Sequence, residues 1–382
     1  MEGGIFMNKS EQVEYQVLED FRQGRTSRKN AAGLLGISER AVSRRVKKIR
    51  EHGVSGIKHG NYSRTPVNKI PDPVHREALA LMEQKYFDFN TVHAHELLSE
   101  NHGLEVSYVT LLNWCNRAGL TKRRKRRRAS KARIYRERMA NEGILLQMDG
   151  SRHKWNGKDE WHLISLIDDA TSDIPAGKFY DGETTWNCMD ALKQLFTQRG
   201  IPQFLYTDGA GWAGGGGKRQ NFSQVVRACE ELGVKIIRAN SAQAKGRIER
   251  SYKTIQGRLV PELRLKNITS MIDANRYLEQ VFWPQWRQRF TVEPQESHSR
   301  YRPLQPEEDL DQILCLKFDR KVRSDHTVSF ENNFYKLDPR HLGTLKQKGV
   351  NIHQYRDNSI EIYFNNQKVP HELIKKPKRR WI

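Results

Sequence analysis

Lys122 to Arg128 is an unbroken run of seven basic residues, with Lys131, Arg133, Arg136 and Arg138 close behind it. So many like charges in one stretch repel each other, and such a stretch stays extended until a polyanion neutralises it. No compact core can enclose it, so residues 121–140 read as a basic linker with folded regions on both sides. At 382 residues the chain has room for two to four domains of about 100–150 residues each. The formal net charge of +21 asks for a polyanionic partner, nucleic acid before an anionic membrane surface. No run of about 18 apolar residues is present, so no membrane partner is expected. Cys115, Cys188, Cys229 and Cys315 are scattered without a CxxC pair. That spacing fits a reducing cytosol and argues against a disulfide framework or a structural zinc site. Met1 to Asn8 lead into a charged amphipathic stretch, not the apolar core of a signal peptide, and Met7 is an alternative start. A cytoplasmic location is expected.

Before the basic run the pattern is helical. Val13, Val17, Leu18 and Phe21 mark one apolar face; Arg28 to Leu35 follow, then Gly36 in a turn and Ser38 as the N-cap of a helix from Glu39 to His52. In that helix Ala41, Val42, Val46 and Ile49 face inward, while Arg40, Arg44, Lys47 and Lys48 stay outside. Over residues 8–60 this is the helix-turn-helix pattern, with the second helix of the pair presenting cations to a DNA groove. An ordinary helical hairpin with a solvated charged face is the competing reading. A Gly- and Pro-punctuated stretch (53–73) opens onto a second helix-turn-helix-like region, taken as residues 61–120, with Ser107 as an N-cap and Gly119 as a stop. It is less basic than the first, so non-specific docking or protein contact stays open as its role. His93 and His95 lack cysteine partners at zinc spacing and read as ordinary polar residues. A nuclear-import signal competes for Lys122–Arg128. Its place between a DNA-reading region and an acidic one favours a tether lying along phosphates.

Residues 141–290 change to an α/β pattern. Apolar runs at 144–148, 161–167 and 174–179 precede a helix from Thr185 to Arg199, then a strand at 204–207, a helix at 222–232, a strand at 234–237 and a helix at 243–259. The order β-β-β-α-β-α-β-α is that of an RNase H-like core, a mixed five-stranded sheet. Three acids stand out within it: Asp149 closing the first strand, Asp208 closing the fourth, and Glu249 on the last helix beside a buried stripe of Ile248, Tyr252, Ile255 and Leu259. Converging carboxylates hold hard divalent cations through oxygen. Two such ions about 3.5–4 Å apart can clamp the attacking and leaving oxygens of a phosphoryl displacement. The competing reading makes Asp149-Gly150 and Asp208-Gly209 turns, and pairs Glu249 with Lys253 across one helical turn. Asp168 and Asp169 are rivals for the site, for which a supporting role is preferred. Trp212 and the glycines around it are either a DNA-stacking element or a bland loop.

The core resembles the catalytic core of the retroviral integrase and insertion-sequence transposase superfamily, the DDE enzymes. Thr207-Asp208-Gly209 and Gln243 to Arg250 are similar to ISNCY-type and related transposases, as are the two helical units ahead of the core. Two departures stand beside this. Forty residues separate Asp208 from Glu249, slightly more than the usual count, with the surplus placed in the Gly-rich stretch 209–218. The His-His-Cys-Cys zinc domain of integrases is replaced by the helical modules. After a linker at 291–310, five short alternating runs in 311–368 read as a small β-barrel, similar to the carboxy-terminal barrel of this transposase group, followed by a basic tail at 369–382.

The resemblance implies a transposase that binds the terminal inverted repeats of its element and cuts and joins DNA. Asp149, Asp208 and Glu249 would hold two Mg²⁺ ions, with Mn²⁺ as a substitute. Arg40, Arg44, Lys47, Lys48, Lys122, Arg123, Arg124, Lys125, Arg126, Arg127, Arg128, Lys245, Arg250 and Lys253 would contact DNA. Pairing two ends implies at least a dimer on double-stranded DNA, in the bacterial cytoplasm near the nucleoid. A non-catalytic DNA-binding regulator and a structure-directed nuclease are the alternatives.

Overall fold

The computed structural model describes residues 6–62, 65–121, 137–207, 224–238, 246–340 and 342–375. Asp208, the glycines and Trp212 after it, Lys122–Arg128, Lys245 and residues 376–382 lie outside this set. The chain divides into two compact units, residues 1–75 and 76–382.

The first unit holds α1 (Lys9–Arg22), α2 (Arg28–Leu35) and α3 (Glu39–His52). Each start is set by a side chain that satisfies an orphan backbone donor: Asn8 with Glu11 in a reciprocal capping box, Ser27, and Ser38. Gly36 ends α2 in the left-handed conformation, which glycine adopts without a Cβ penalty. Leu18, Ala31, Ala32, Val42, Val46 and Ile49 form the core. Burying one stripe of α3 leaves Arg40, Arg44, Lys47 and Lys48 exposed on the other side, as the periodicity requires.

The second unit begins within α4 (Asp72–Gln84), followed by α5 (Thr91–His102) and α6 (Tyr108–Arg117). Ser107 caps α6, and Gly103 ends α5 in the left-handed conformation. Next come β1 (Leu145–His153), β2 (Trp161–Asp168), β3 (Ala176–Tyr180), α7 (Thr185–Arg199), β4 (Phe204–Thr207), α8 (Gln224–Glu231), β5 (Lys235–Arg238) and α9 (Gly246–Leu265). The sheet is mixed and five-stranded, in the order β3-β2-β1-β4-β5. β1, β2 and β3 pair antiparallel, while β1-β4 and β4-β5 are parallel. This is the RNase H-like order. Strand alternation splits the interior in two. Leu146, Met148, Ile164 and Leu166 pack under α7 and α8, and Leu163, Ile167 and Phe179 pack under α9 and the helix after it.

That following helix runs as α10 (Met271–Tyr277), one π turn (Leu278–Phe282) and α11 (Trp283–Phe290). The Trp283 indole donates to the Gly177 carbonyl at 2.9 Å and lies so close that a Cβ on residue 177 would meet its ring at 2.7 Å.

The helical module docks on the outer side of α9. Arg258 makes a fork to Glu96 at 2.7 and 2.8 Å, and Arg264 another to Asp88 at 2.7 Å on both oxygens. Arg289 from α11 also reaches Glu96, at 2.7 Å. His93, expected as an ordinary polar residue, is fully buried here because α5 turns it toward α9. Its Nε2 lies 2.9 Å from Glu262 Oε1, an approach poorly aligned for a hydrogen bond, while Tyr277 donates to the other oxygen of Glu262 at 2.7 Å.

After α12 (Leu310–Ile313) come β6 (Leu316–Lys321), β7 (Thr327–Phe330), β8 (Asn333–Leu337), β9 (Gly349–Gln354), β10 (Ile360–Phe364), β11 (Gln367–Val369) and β12 (His371–Ile374). The expected small barrel is instead two open sheets, β11-β10-β9-β6 and β12-β8-β7, around one shared core. Two further strands, β11 and β12, each add to an edge without closing the ladder. All four cysteines are buried and unbridged. Among the described residues no helix is long and apolar enough to cross a membrane.

Candidate active site

The site grows from the middle of β1. Asp149 was expected to close that strand, but β1 runs on to His153. Antiparallel pairing with β2 continues through Asp149↔Ser165 and Gly150↔Ile164 after the parallel ladder to β4 has stopped at Gln147↔Tyr206. Gly150 is therefore a ladder residue and not a turn residue. Its lack of a side chain has a different reason. A Cβ there would meet the carboxylate of Glu183 at 2.7 Å. Glu183, one residue ahead of the Thr184 cap of α7, thus brings a carboxylate against β1 at Gly150, on the face opposite the one that carries the Asp149 side chain. Nothing in its sequence context marks it; only the folding of the α7 start over β1 does.

Residues 147, 149 and 151 share the face of β1 that carries α9, and each meets one turn of it. Gln147 Oε1 accepts from the Ile248 backbone at 3.4 Å, the Tyr252 hydroxyl donates to the Asp149 carbonyl, and Gln256 Nε2 donates to Ser151 Oγ at 3.1 Å. Ile248, Tyr252, Ile255 and Leu259 are the buried stripe that the sequence shows. Glu249 follows Ile248 directly in the first turn of α9 and is exposed. An acid at that position is favoured by the helix dipole. Asp149 is half-buried.

Tyr252 sits between the strands, accepting from Ser165 Oγ at 3.0 Å and facing the Leu163 carbonyl at 3.3 Å. Burial, then the negative charges of Asp149 and Glu183, push its pKa well above the ordinary tyrosine value. The hydroxyl is held protonated, as a structural donor.

Asp168 and Asp169 are absorbed by the framework. Asp168 accepts from the backbones of Gly143, Ala170 and Thr171 and from the Thr171 hydroxyl. Burial nevertheless raises its pKa. Asp169 accepts from Gln147 Nε2 at 3.0 Å, Arg247 Nε at 2.8 Å and the Met139 backbone at 3.0 Å. Arg138 donates to the Ala170 carbonyl at 3.0 Å and to Ser172 Oγ at 2.8 Å. Its pKa is lowered by partial burial and then by the charges of Arg247 and Arg250, so three guanidinium groups gather beside the start of α9. Arg250 and Lys253 are exposed.

Among the described residues no group of three or more His, Cys, Asp or Glu is placed to hold a metal ion. Asp208 is outside them, one residue beyond the end of β4. The donors at hand, the carboxylates of Asp149 and Glu249, offer only oxygen, which suits a hard cation such as Mg²⁺.

A helix-turn-helix domain family model matches residues 15–65. Over 389 residues the chain is 34% identical to a protein of Sinorhizobium fredii named as a transposase, covering 99% of this chain and 84% of that one. The transposase for insertion sequence IS1202 of Streptococcus pneumoniae is 27% identical over 418 residues, covering 96% of this chain and 88% of the relative. Among solved structures, the HTLV-2 integrase catalytic core domain in complex with magnesium aligns with 37% of this chain and 89% of its own, at 18% identity and a TM-score of 0.29. The simian T-cell lymphotropic virus intasome aligns with 70% of this chain and 94% of its own, at 13% identity and a TM-score of 0.36. At scores this low the likeness adds nothing to the strand order itself.

Proposed function

The chain belongs to the transposases, and from that premise we propose that it carries an integrase-like catalytic core, binds the terminal inverted repeats of an insertion sequence, cuts their 3′ ends and joins them to target DNA through Asp149, Asp208 and Glu249. One observation carries the assignment. Asp149 lies on the face of β1 that α9 covers, and α9 meets that face with Glu249 in its first turn. The parallel register of β1 and β4 supports the third member. Extended by one residue it sets Thr207 beside Met148, the neighbours of Asp208 and Asp149. The domain limits 8–60, 61–120, 121–140, 141–290, 291–310, 311–368 and 369–382 are proposed with it.

The three carboxylates would hold two Mg²⁺ ions, with Mn²⁺ as a substitute, and those ions would supply Lewis-acid stabilisation of the attacking and leaving oxygens. The chain's own residues do the rest. Tyr252 pins the Asp149 backbone on one side of the site. Arg138, Arg247 and Arg250 set positive charge beside it, where phosphates of the DNA would lie. Tyr252, buried and kept protonated, is not poised as a nucleophile, so the reading needs no covalent protein–DNA link. Arg40, Arg44, Lys47 and Lys48 on α3 are proposed to enter a DNA groove. Lys122–Arg128 and Lys245 are proposed phosphate contacts together with Arg250 and Lys253. Two element ends call for at least two protomers on double-stranded DNA, in the cytoplasm of a bacterial cell.

The test is a strand-transfer assay with labelled flanking-repeat DNA and Mg²⁺, the native protein beside Asp208→Asn, Asp149→Ala and Glu249→Gln. Metal-dependent nicking and joining, lost in all three variants while end binding stays intact, is the expected result. Cleavage that survives in any variant removes that residue from the site. Tight end binding with no cleavage by the native protein would point to a DNA-binding regulator.

A further inference from the structure

We propose that Asp169 is the positioning residue of this site, a buried carboxylate that holds the first turn of α9, and with it Glu249, against β1. The proposal rests on the role given to Glu249 above. Asp169 is wholly buried at the end of β2, where a carboxylate needs strong partners to be tolerated. Its Oδ1 accepts from Gln147 and from Arg247, and its Oδ2 from the backbone of Met139. Gln147 stands two residues from Asp149 on the same face of β1, and its Oε1 accepts from the backbone of Ile248. Arg247 and Ile248 are the two residues directly ahead of Glu249. One carboxylate thus fixes both the strand that carries the first acid and the helical turn that carries the last.

The same residue fastens the chain that follows the basic run. Arg138 donates to the Asp169 carbonyl at 3.3 Å in addition to its bonds to Ala170 and Ser172. Strand, helix turn and incoming chain meet at Asp169. Mg²⁺ demands near-ideal ligand geometry, so the spacing of the acids governs how well the ion is held. Groups that orient metal ligands through hydrogen bonds change metal affinity or activity by about 10–100-fold when they are replaced.

The full chain is tested as Asp169→Asn, which keeps size and loses charge, and as Gln147→Met, which removes the bridge from the β1 side without altering charge. Mn²⁺ binding is measured by calorimetry without DNA, and single-turnover strand transfer is followed against DNA concentration and against Mn²⁺. Asp169→Asn is expected to weaken Mn²⁺ binding by about 10–100-fold. Its maximal rate should fall with the half-saturating DNA concentration unchanged, and should recover at high Mn²⁺. Gln147→Met should shift the same curves in the same direction by a smaller factor. A merely structural carboxylate would lower the melting temperature and leave Mn²⁺ binding within about threefold of native in both variants. That result overturns the proposal. Glu249→Gln serves as the control. If it still cleaves, the assignment of Glu249 fails; if it is inactive at every Mn²⁺ concentration while both test variants bind Mn²⁺ as the native protein does, the role of Asp169 alone fails.

Discussion

The two helical modules share their local construction and differ in where their charge goes. In each, a serine caps the third helix and a left-handed glycine ends the second. On α3 the cations Arg40, Arg44, Lys47 and Lys48 face solvent. On α5 and just before it, Glu96, Glu100 and Asp88 are engaged by Arg258, Arg289 and Arg264. A module with exposed cations can meet phosphate, whereas one whose anions are tied to α9 and α11 serves as framing for the catalytic sheet. Caps decide that a helical hairpin forms. The placement of charge decides what it is used for.

The sharpest way to break this comparison is to neutralise α3. Replacing Arg40, Arg44, Lys47 and Lys48 together with Ala should weaken end binding by on the order of 100-fold at 0.15 M salt and flatten the log-affinity against log-salt slope by about 3–4. The melting temperature of the second unit should not move. An unchanged salt slope would show that the cations of α3 do not meet phosphate.

The reciprocal experiment is Glu96→Ala, which strands the nearly buried Arg258 and removes a partner of Arg289. A loss of about 2–3 kcal/mol is expected in urea melts, discounted for the partial exposure of Glu96, with binding of isolated repeats unaltered. A loss of DNA affinity without a loss of stability would mean that this module reads DNA after all.

Acid separates the regions by a smaller margin. His353 on β9 is buried and stacked on Tyr363 at 4.3 Å between centroids. Burial, then the charges of Lys317 and Arg227, lowers its pKa from 6.5 to about 4. A histidine held neutral in the fold gives stability that is full above the unfolded value and is lost as pH falls from 6.5 toward 4, up to about 2 kcal/mol after allowing for screening. Glu96 behaves differently. Burial raises its pKa, but the hydrogen bond and charge of Arg258 and the charge of Arg289 outweigh that, so the net shift is downward from 4.5. Its docking contribution is present above 4.5 and is lost only as pH falls below it. Melts between pH 7 and 4 should therefore show the carboxy-terminal sheets weakening first, and His353→Phe should flatten that part of the profile.

The smallest effect tests the shared construction. Ser38→Ala and Ser107→Ala should each cost about 1 kcal/mol. Equal losses would support a common capping role; a silent Ser107→Ala would show that docking on α9 holds α6 without its cap.

What could be read in advance was mostly local. Ser38, Gly36, Ser107 and the buried stripe of α9 are each specified by neighbours within four residues. The succession of strands and helices in the core followed from the spacing of the apolar runs. What escaped reading depended on partners distant in the chain. β1 outlasts Asp149 because β2 continues to pair with it, and Gly150 is glycine because Glu183, more than thirty residues away, lies against it. His93 looks polar in sequence and is buried because α9, with Glu262, comes from far along the chain to cover it. The carboxy-terminal strands alternate as a barrel would, but alternation does not say whether the last ladder closes. Asp149 and Glu249 were legible as candidates; that β1 meets α9 through three contacts was not.

Those three contacts pair every second residue of a strand with every fourth residue of a helix. Two strand residues rise about 6.7 Å and four helical residues about 6.0 Å, so the two rulers slip by roughly 0.7 Å at each mark. They agree at the middle mark and drift apart at both ends, as a vernier does. Sliding α9 by one residue would break all three coincidences together, and the next agreement lies a whole turn away. The height of Glu249 along the strand is thereby digitised: the helix is in step with Asp149, or it is a full turn out.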